Sequence, residues 1–360
     1  MPFRDGENLH RFTNETLYQS FGMLAVIMDI FFIIGGLLTA RSLKRGLESG
    51  NKVTWIVKFY FKRIMRLLPV ALFVVALLVT SSTDTTAPYD IGMKGVDKQT
   101  LWTLPFVYNF MNYPNTNETF IWFIAVYLQL IIIAPFVLML TRMDKYGNSI
   151  AILLMTAFGA IRILHTSHNY YGQVFSITNA EMLMDDQILK KYTAGRLRLF
   201  SFFGGLMIER FLSEKLTINM LKFQIASTVT ALIAIILITI GATKSIPELI
   251  SVGDVLLVLV FISLYYFFYH SNWKIKKFYS LNIWKIISKM GLSIYLMSGY
   301  VVFTIAERQV EPMEIDSKIV FFGLFINDVI MIIVAVLPTY ILIEEPFSRL
   351  GDYIAKNCFK

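Results

Sequence analysis

Apolar runs of membrane length alternate with short polar stretches along almost the whole chain. About 20 residues at 1.5 Å rise per residue cross a hydrocarbon core. Runs of that kind fall at 21–40, 64–81, 120–140, 149–165, 198–212, 223–242, 251–269, 283–306 and 319–343. None shows the strict alternation of a half-buried strand. The pattern predicts an all-α, polytopic transmembrane helical bundle of about nine spans. Residues 1–20 form an extracytoplasmic N-terminal segment, 21–343 the membrane domain and 344–360 a cytoplasmic tail. Two segments do not fit as spans or as simple connections. Residues 101–113, LWTLPFVYNFMNY, are apolar but short and contain Pro105, as in a re-entrant or interfacial piece, and 166–197 is the longest polar stretch between spans. They are read either as a lid over an outward cavity or as anchors in the headgroup belt.

Composition makes the membrane reading firm. With 56% hydrophobic residues, mean hydropathy +0.60 and only 16% charged residues, the chain has too little polar surface for a soluble globule of 360 residues. Its net charge of +8 is concentrated beside the spans, which excludes a nucleic-acid reading and points to topology and anionic inner-leaflet lipids. Residues 41–69 carry eight cations (Arg41, Lys44, Arg45, Lys52, Lys58, Lys62, Arg63, Arg66) against Glu48 alone. Basic residues near spans are retained inside, so the first span is expected to insert with its N-terminus outside and the tail to be cytoplasmic. Two later loops agree. The expected inner loop 270–289 holds Lys274, Lys276, Lys277, Lys285 and Lys289 and no acid, while the outer 307–317 holds Glu307, Glu311, Glu314 and Asp316 against Arg308. The sequons at Asn14 and Asn117 fall on the expected outer side, which predicts a glycoprotein. The first twenty residues lack the apolar core of a secretory signal. A single cysteine, Cys358, excludes an intramolecular disulfide and a cysteine-based metal cluster.

Candidate chemistry is sparse. Arg63 and Arg66 lie one helical turn apart at the inner mouth of the second span, where guanidinium forks suit a phosphate group. On the residues alone the pair reads first as topogenic, on lipid phosphate. Asp29 is an acid in an apolar run, where a charge is costly and faces a partner or a cavity; a functional and a helix-pairing role both stand. Asp254 and Asp328 read as interhelical hydrogen-bonding residues. His165 and His168 have a spacing that fits two metal ligands, but no third ligand is identifiable, so no metal is assigned. Gly35-Gly36 and Gly204-Gly205 read as helix-packing points rather than phosphate loops, and G-x-S-x-G and C-x-x-C are absent. No inverted repeat is traceable, which weighs against a transporter.

Six short patterns in one order resemble a known family. Met28-Asp29-Ile30-Phe31-Phe32 leading to Gly35-Gly36-Leu37-Leu38 is similar to V-D-x-F-F-x-x-S-G-L-L. Phe59-Tyr60 with Arg63, Arg66 and Pro69 is similar to F-Y-x-x-R-x-x-R-x-x-P, and Trp122 with Gln129 and Ala134-Pro135 to W-Y-L-x-x-D-x-Q-x-x-x-x-A-P. Tyr192-Thr193 with Arg198 and Gly205, then Ile294-Tyr295-Leu296, then Glu345-Pro346, complete the series. The chain resembles the acyltransferase 3 family of transmembrane acyltransferases, in its eukaryotic, nose-resistant-to-fluoxetine-like branch.

The resemblance implies a membrane-bound O-acyltransferase that moves an acyl group from cytoplasmic acyl-CoA to a hydroxyl of a lipid or secreted acceptor, in the plasma membrane or an endomembrane. No tightly bound cofactor is implied; acyl-CoA is the donor substrate, and membrane lipids and a lipid or small-molecule acceptor are the partners. Arg63 and Arg66 would bind the donor, Trp122, Gln129, Tyr192 and Arg198 would shape the acceptor cavity, and Glu345-Pro346 is a structural motif. The family's presumed catalytic histidine ends a helix for which this chain has no counterpart after Met1, so the catalytic residue is unassigned and a missing N-terminal part is expected. Gly35 stands for a serine, Val126-Tyr127 occupies the acidic position, and Ser298-Gly299 replaces a late histidine. These departures support an alternative, a non-catalytic lipid or small-molecule transporter on the same fold.

Overall fold

The computed structural model describes residues 24–47, 52–81, 122–143, 146–167, 195–213, 220–244, 246–270, 277, 280–307 and 318–358. Among them there is no strand. The helices are α1 (Leu24–Leu47), α2 (Lys52–Ser81), α3 (Trp122–Thr141), α4 (Gly147–Ser167), α5 (Gly195–Ser213), α6 (Met220–Lys244), α7 (Pro247–His270), α8 (Asn282–Lys289), α9 (Gly291–Glu307), α10 (Lys318–Thr339) and α11 (Glu345–Cys358). A π-helical segment, Tyr340–Glu344, joins the last two. In hydrocarbon a segment must satisfy its own backbone N–H and C=O groups, and helices do so internally.

The described parts of the nine expected runs are helical, 283–306 as two helices rather than one. Among the described residues five stretches are long and apolar enough to cross a membrane: Trp122–Thr141, Gly147–His165, Lys222–Gly241, Glu248–Phe267 and Gly323–Cys358. Their outer faces are what lipid requires, for Ile225, Val229, Leu232, Ile233 and Ile236 of α6 and Phe325, Ile326, Ile330 and Val334 of α10 are all exposed.

The structure corrects one expected run and adds detail at two other segments. The basic stretch after the first run is mostly helical: α1 continues through Arg41 and Lys44 to Leu47, and α2 already starts at Lys52. Lys, Arg and Leu are good helix formers, so nothing stops the helix where the apolar run stops. The run 283–306 is not one span. It breaks at Met290 into the short α8 and the apolar α9, directly before Gly291, the weakest helix former after proline. The segment after 343 is helical to Cys358, through the π turn.

The chain divides into two compact units. One holds 57–125 and 281–360, the other 16–56 and 126–280. In the second unit α1 packs along α5 and α6 along α7, with α4 against both α5 and α7. Its core is Ile33 and Leu37 of α1, Phe200 and Ile208 of α5, and Val255 and Val258 of α7. A Cβ at Gly36 would overlap the Phe202 carbonyl, and one at Gly205 the Ile33 carbonyl. These two glycines therefore set the α1–α5 crossing, as small residues do between membrane helices. In the first unit α9 packs on α10, and the π segment contacts both α10 and α11. Gly351 of α11 faces Met65 of α2, where an added Cβ would come within 2.8 Å.

Candidate functional site

Two polar clusters stand out, one in each unit. The first is built around Arg66 of α2. Its Nε and Nη2 donate to Glu344 Oε1, both at 3.4 Å, and Nη2 also donates to the Lys289 carbonyl at 3.2 Å. That carbonyl ends α8, where a guanidinium is favourable both as a hydrogen-bond donor and against the helix dipole. Glu344 is buried, and its other oxygen accepts from the Ser293 hydroxyl at 2.6 Å and the Ser293 amide at 3.3 Å. The serine fixes the carboxylate, and the carboxylate holds Arg66. The arginine side chain stays 39% exposed, with ion-pair contacts longer than the usual charge-assisted range of about 2.7–2.9 Å. One turn earlier, the Arg63 guanidinium lies over the Phe59 ring, 5.5 Å from its centroid. Lys62 pairs with Asp352 of α11 at 2.6 Å.

The π segment explains which glutamate turns inward. Pro346 lacks an N–H and its ring crowds the Leu342 carbonyl, so the ordinary i→i−4 ladder cannot run through Tyr340–Glu344. One wide turn takes its place, of a kind often found at functional sites. It delivers Glu344 to Arg66 and leaves Glu345 on the other side, where it accepts from the Tyr340 hydroxyl at 2.9 Å and Arg349 Nε at 2.8 Å. Glu345-Pro346 thus opens α11 while the preceding Glu344, which the motif does not include, makes the contact with Arg66.

The second cluster is buried in the other unit and centres on Arg162 of α4. Arg162 donates through Nη1 and Nη2 to the two oxygens of Asp29 at 2.9 and 2.7 Å, through Nε to Asp254 Oδ2 at 2.7 Å, and through Nη1 to Ser201 Oγ at 3.0 Å. Arg198 donates to Asp29 Oδ2 at 2.9 Å and lies over the Phe32 ring at 5.9 Å. The Ser201 hydroxyl donates to Asp29 Oδ1. All five polar side chains are at most 1% exposed. Two carboxylates face two guanidiniums, so the cluster is neutral and ties α1, α4, α5 and α7 together. At the end of α1, Arg41 pairs with Glu209 of α5 at 2.9 Å. Burial works against the Arg41 charge, and the hydrogen bond and charge of Glu209, together with Tyr265 and Tyr269, outweigh it and hold the guanidinium above its ordinary pKa.

Among the residues expected at an acceptor cavity, Trp122 is buried at the start of α3 and Gln129 is half-buried two turns on. Arg198 is turned onto Asp29. Tyr192, Asn14, Asn117 and His168 lie outside the described residues, as do all of 101–113 and most of 166–197. No group of three or more metal-ligating side chains exists among the described residues. Two of the departures from the family pattern meet in space: a Cβ at Gly35 would come within 2.6 Å of Tyr127 Cε2. The tyrosine ring, packed edge-on against Phe202, occupies the room a serine at 35 would need.

A family model described as an acyltransferase domain matches residues 3–344. No curated protein and no solved structure matches the chain. With nearly the whole chain covered, and with helices suited to hydrocarbon, the protein is an integral membrane protein that belongs to the acyltransferase 3 family.

Proposed function

We propose that this protein is a membrane O-acyltransferase of the eukaryotic, nose-resistant-to-fluoxetine-like branch, with about nine spans, its N-terminus outside and its C-terminus cytoplasmic. Arg63 and Arg66 take the phosphates of a cytoplasmic acyl-CoA. The acceptor is a hydroxyl of a lipid or secreted molecule. In the reaction the acceptor oxygen attacks the thioester carbonyl and loses its proton to a base. The carbon–sulfur bond breaks, and the CoA sulfur leaves as thiolate and is protonated.

The observation that carries this reading is Arg66. It is a partly exposed guanidinium one turn from Arg63, held by a buried carboxylate through long contacts that a polyanion can exchange for shorter ones. An arginine serving topology alone has no need of a carboxylate fixed by its own serine. Acyl-CoA bearing a labelled acyl chain, supplied to sealed vesicles of each orientation, tests the proposal. Protein-dependent acyl transfer is expected only when the donor reaches the cytoplasmic face. Transfer from the opposite face alone, or none from donors of several chain lengths, overturns it.

A further inference from the structure

The helix α8, NIWKIISK, is the most strongly two-faced element of its unit and has no buried side chain. Ile283, Ile286 and Ile287 share one face and are 60%, 57% and 40% exposed; Leu281, just before the helix, is exposed beside them. Asn282, Lys285, Ser288 and Lys289 occupy the opposite face, also exposed, with Lys285 Nζ donating to Asn282 Oδ1 at 3.2 Å. Such a face in water would be an unpaired apolar patch on a charged helix. Its surroundings say what covers it. Only Met290 separates α8 from α9, an apolar helix of the membrane domain. The Arg66 contact to the Lys289 carbonyl fixes the end of α8 at the level of Arg66 on α2, where the apolar part of that helix begins.

We propose that α8 lies in the plane of the cytoplasmic leaflet, with Ile283, Ile286 and Ile287 in the acyl-chain boundary and Lys285 and Lys289 on anionic lipid headgroups. The charge of the segment fits that partner: residues 270–289 hold five lysines and no acid. An interfacial helix takes its affinity from a buried apolar face plus attraction to anionic lipid, and α8 has both. The neighbouring α11 has related features. Its Phe347, Leu350 and Tyr353 are exposed while Gly351 packs on Met65 of α2, and its first residue follows Glu344, so it starts beside the same arginine. Arg66 thus joins the end of one amphipathic helix to the start of another. This places the cation expected to meet the donor at the headgroup layer. The choice of leaflet rests on the proposed topology; the interfacial placement itself uses the exposed face, the charge, the Arg66 contact and the attachment to α9.

The single cysteine makes the test clean. In a Cys358→Ser background, single cysteines introduced by Ile286→Cys and, separately, Lys285→Cys are labelled with an environment-sensitive fluorophore. The protein is then reconstituted in nanodiscs of phosphatidylcholine with or without phosphatidylserine. Both sites are exposed, so neither change disturbs packing. The label at 286 is expected to be blue-shifted, quenched by bromine on the acyl chains and shielded several-fold from aqueous iodide, and the label at 285 to show the reverse. Phosphatidylserine is expected to enlarge the shift at 286, and K285Q/K289Q to abolish that increment. Equal iodide access at both positions overturns the proposal. Shielding at 286 without acyl-chain quenching overturns it in favour of a protein surface covering the helix, and no response to phosphatidylserine overturns the anionic-lipid part.

Discussion

Replacing Arg162 by leucine removes the guanidinium that Asp29 and Asp254 share, and leaves two buried carboxylates facing the single charge of Arg198. Two magnitudes compete for the outcome. Polar contacts between membrane helices are worth on average about 0.6 kcal/mol, because the unfolded protein in the membrane finds other partners. Removing one member of a fully buried ion pair costs roughly 3–5 kcal/mol, because the partner charge stays buried without compensation. Here the second governs. Arg162 makes three hydrogen bonds to carboxylate oxygens at 2.7–2.9 Å, and all the groups are essentially inaccessible. The expected loss for Arg162→Leu is therefore about 3–5 kcal/mol. The charge sum gives a sharper test. Arg162→Leu/Asp254→Leu removes one charge of each sign and leaves Asp29 with Arg198 and Ser201, a neutral set. The double variant should regain about 2 kcal/mol or more relative to the single one. Both are measured by graded-detergent unfolding of the purified protein with helix content as the readout. A loss below about 1 kcal/mol for Arg162→Leu, the scale of an ordinary interhelical contact, refutes the reasoning. So does a double variant less stable than the single one.

Other outcomes follow from single contacts. Gly205→Leu drives a side chain into the Ile33 carbonyl and should cost at least about 1–3 kcal/mol, whereas Gly291→Ala, with nothing within 4 Å of an added Cβ, should be neutral in the same unfolding assay. Gly35→Ser should destabilise through its contact with the Tyr127 ring, and Tyr127→Ala should relieve the added penalty in a double-mutant cycle. Ser293→Ala removes the donor that fixes Glu344 and should raise the KM for acyl-CoA more than it lowers kcat. A kcat loss at unchanged KM would place the serine elsewhere in the reaction.

The fold was largely legible because apolar length is a strong signal, and the described part of each expected run is helical, 283–306 alone being split in two. What periodicity failed to see is instructive. The break at Met290 falls beside Gly291, inside a run read by its apolar content alone. Arg162 is a cation inside an apolar run, the same kind of signal that singled out Asp29. Its role as the partner of Asp29 was hidden by the 133 residues between them. Of the two consecutive glutamates the pattern pointed to Glu345, yet Glu344 reaches Arg66, because one π turn rotates the helix face in a way no 3.6-residue period reports. The Gly35–Tyr127 contact joins two departures that looked independent along the chain.

Whether the arginine pair is a donor site is decided by acyl transfer in membranes holding equal amounts of correctly inserted wild-type protein, Arg63→Ala/Arg66→Ala and Arg63→Lys/Arg66→Lys. The wild type should transfer, the alanine variant should lose a factor of about ten or more, and lysine should rescue incompletely, since it keeps the charge without the planar fork. Wild-type transfer that the alanine variant retains at the same KM for acyl-CoA would contradict a donor role for the pair.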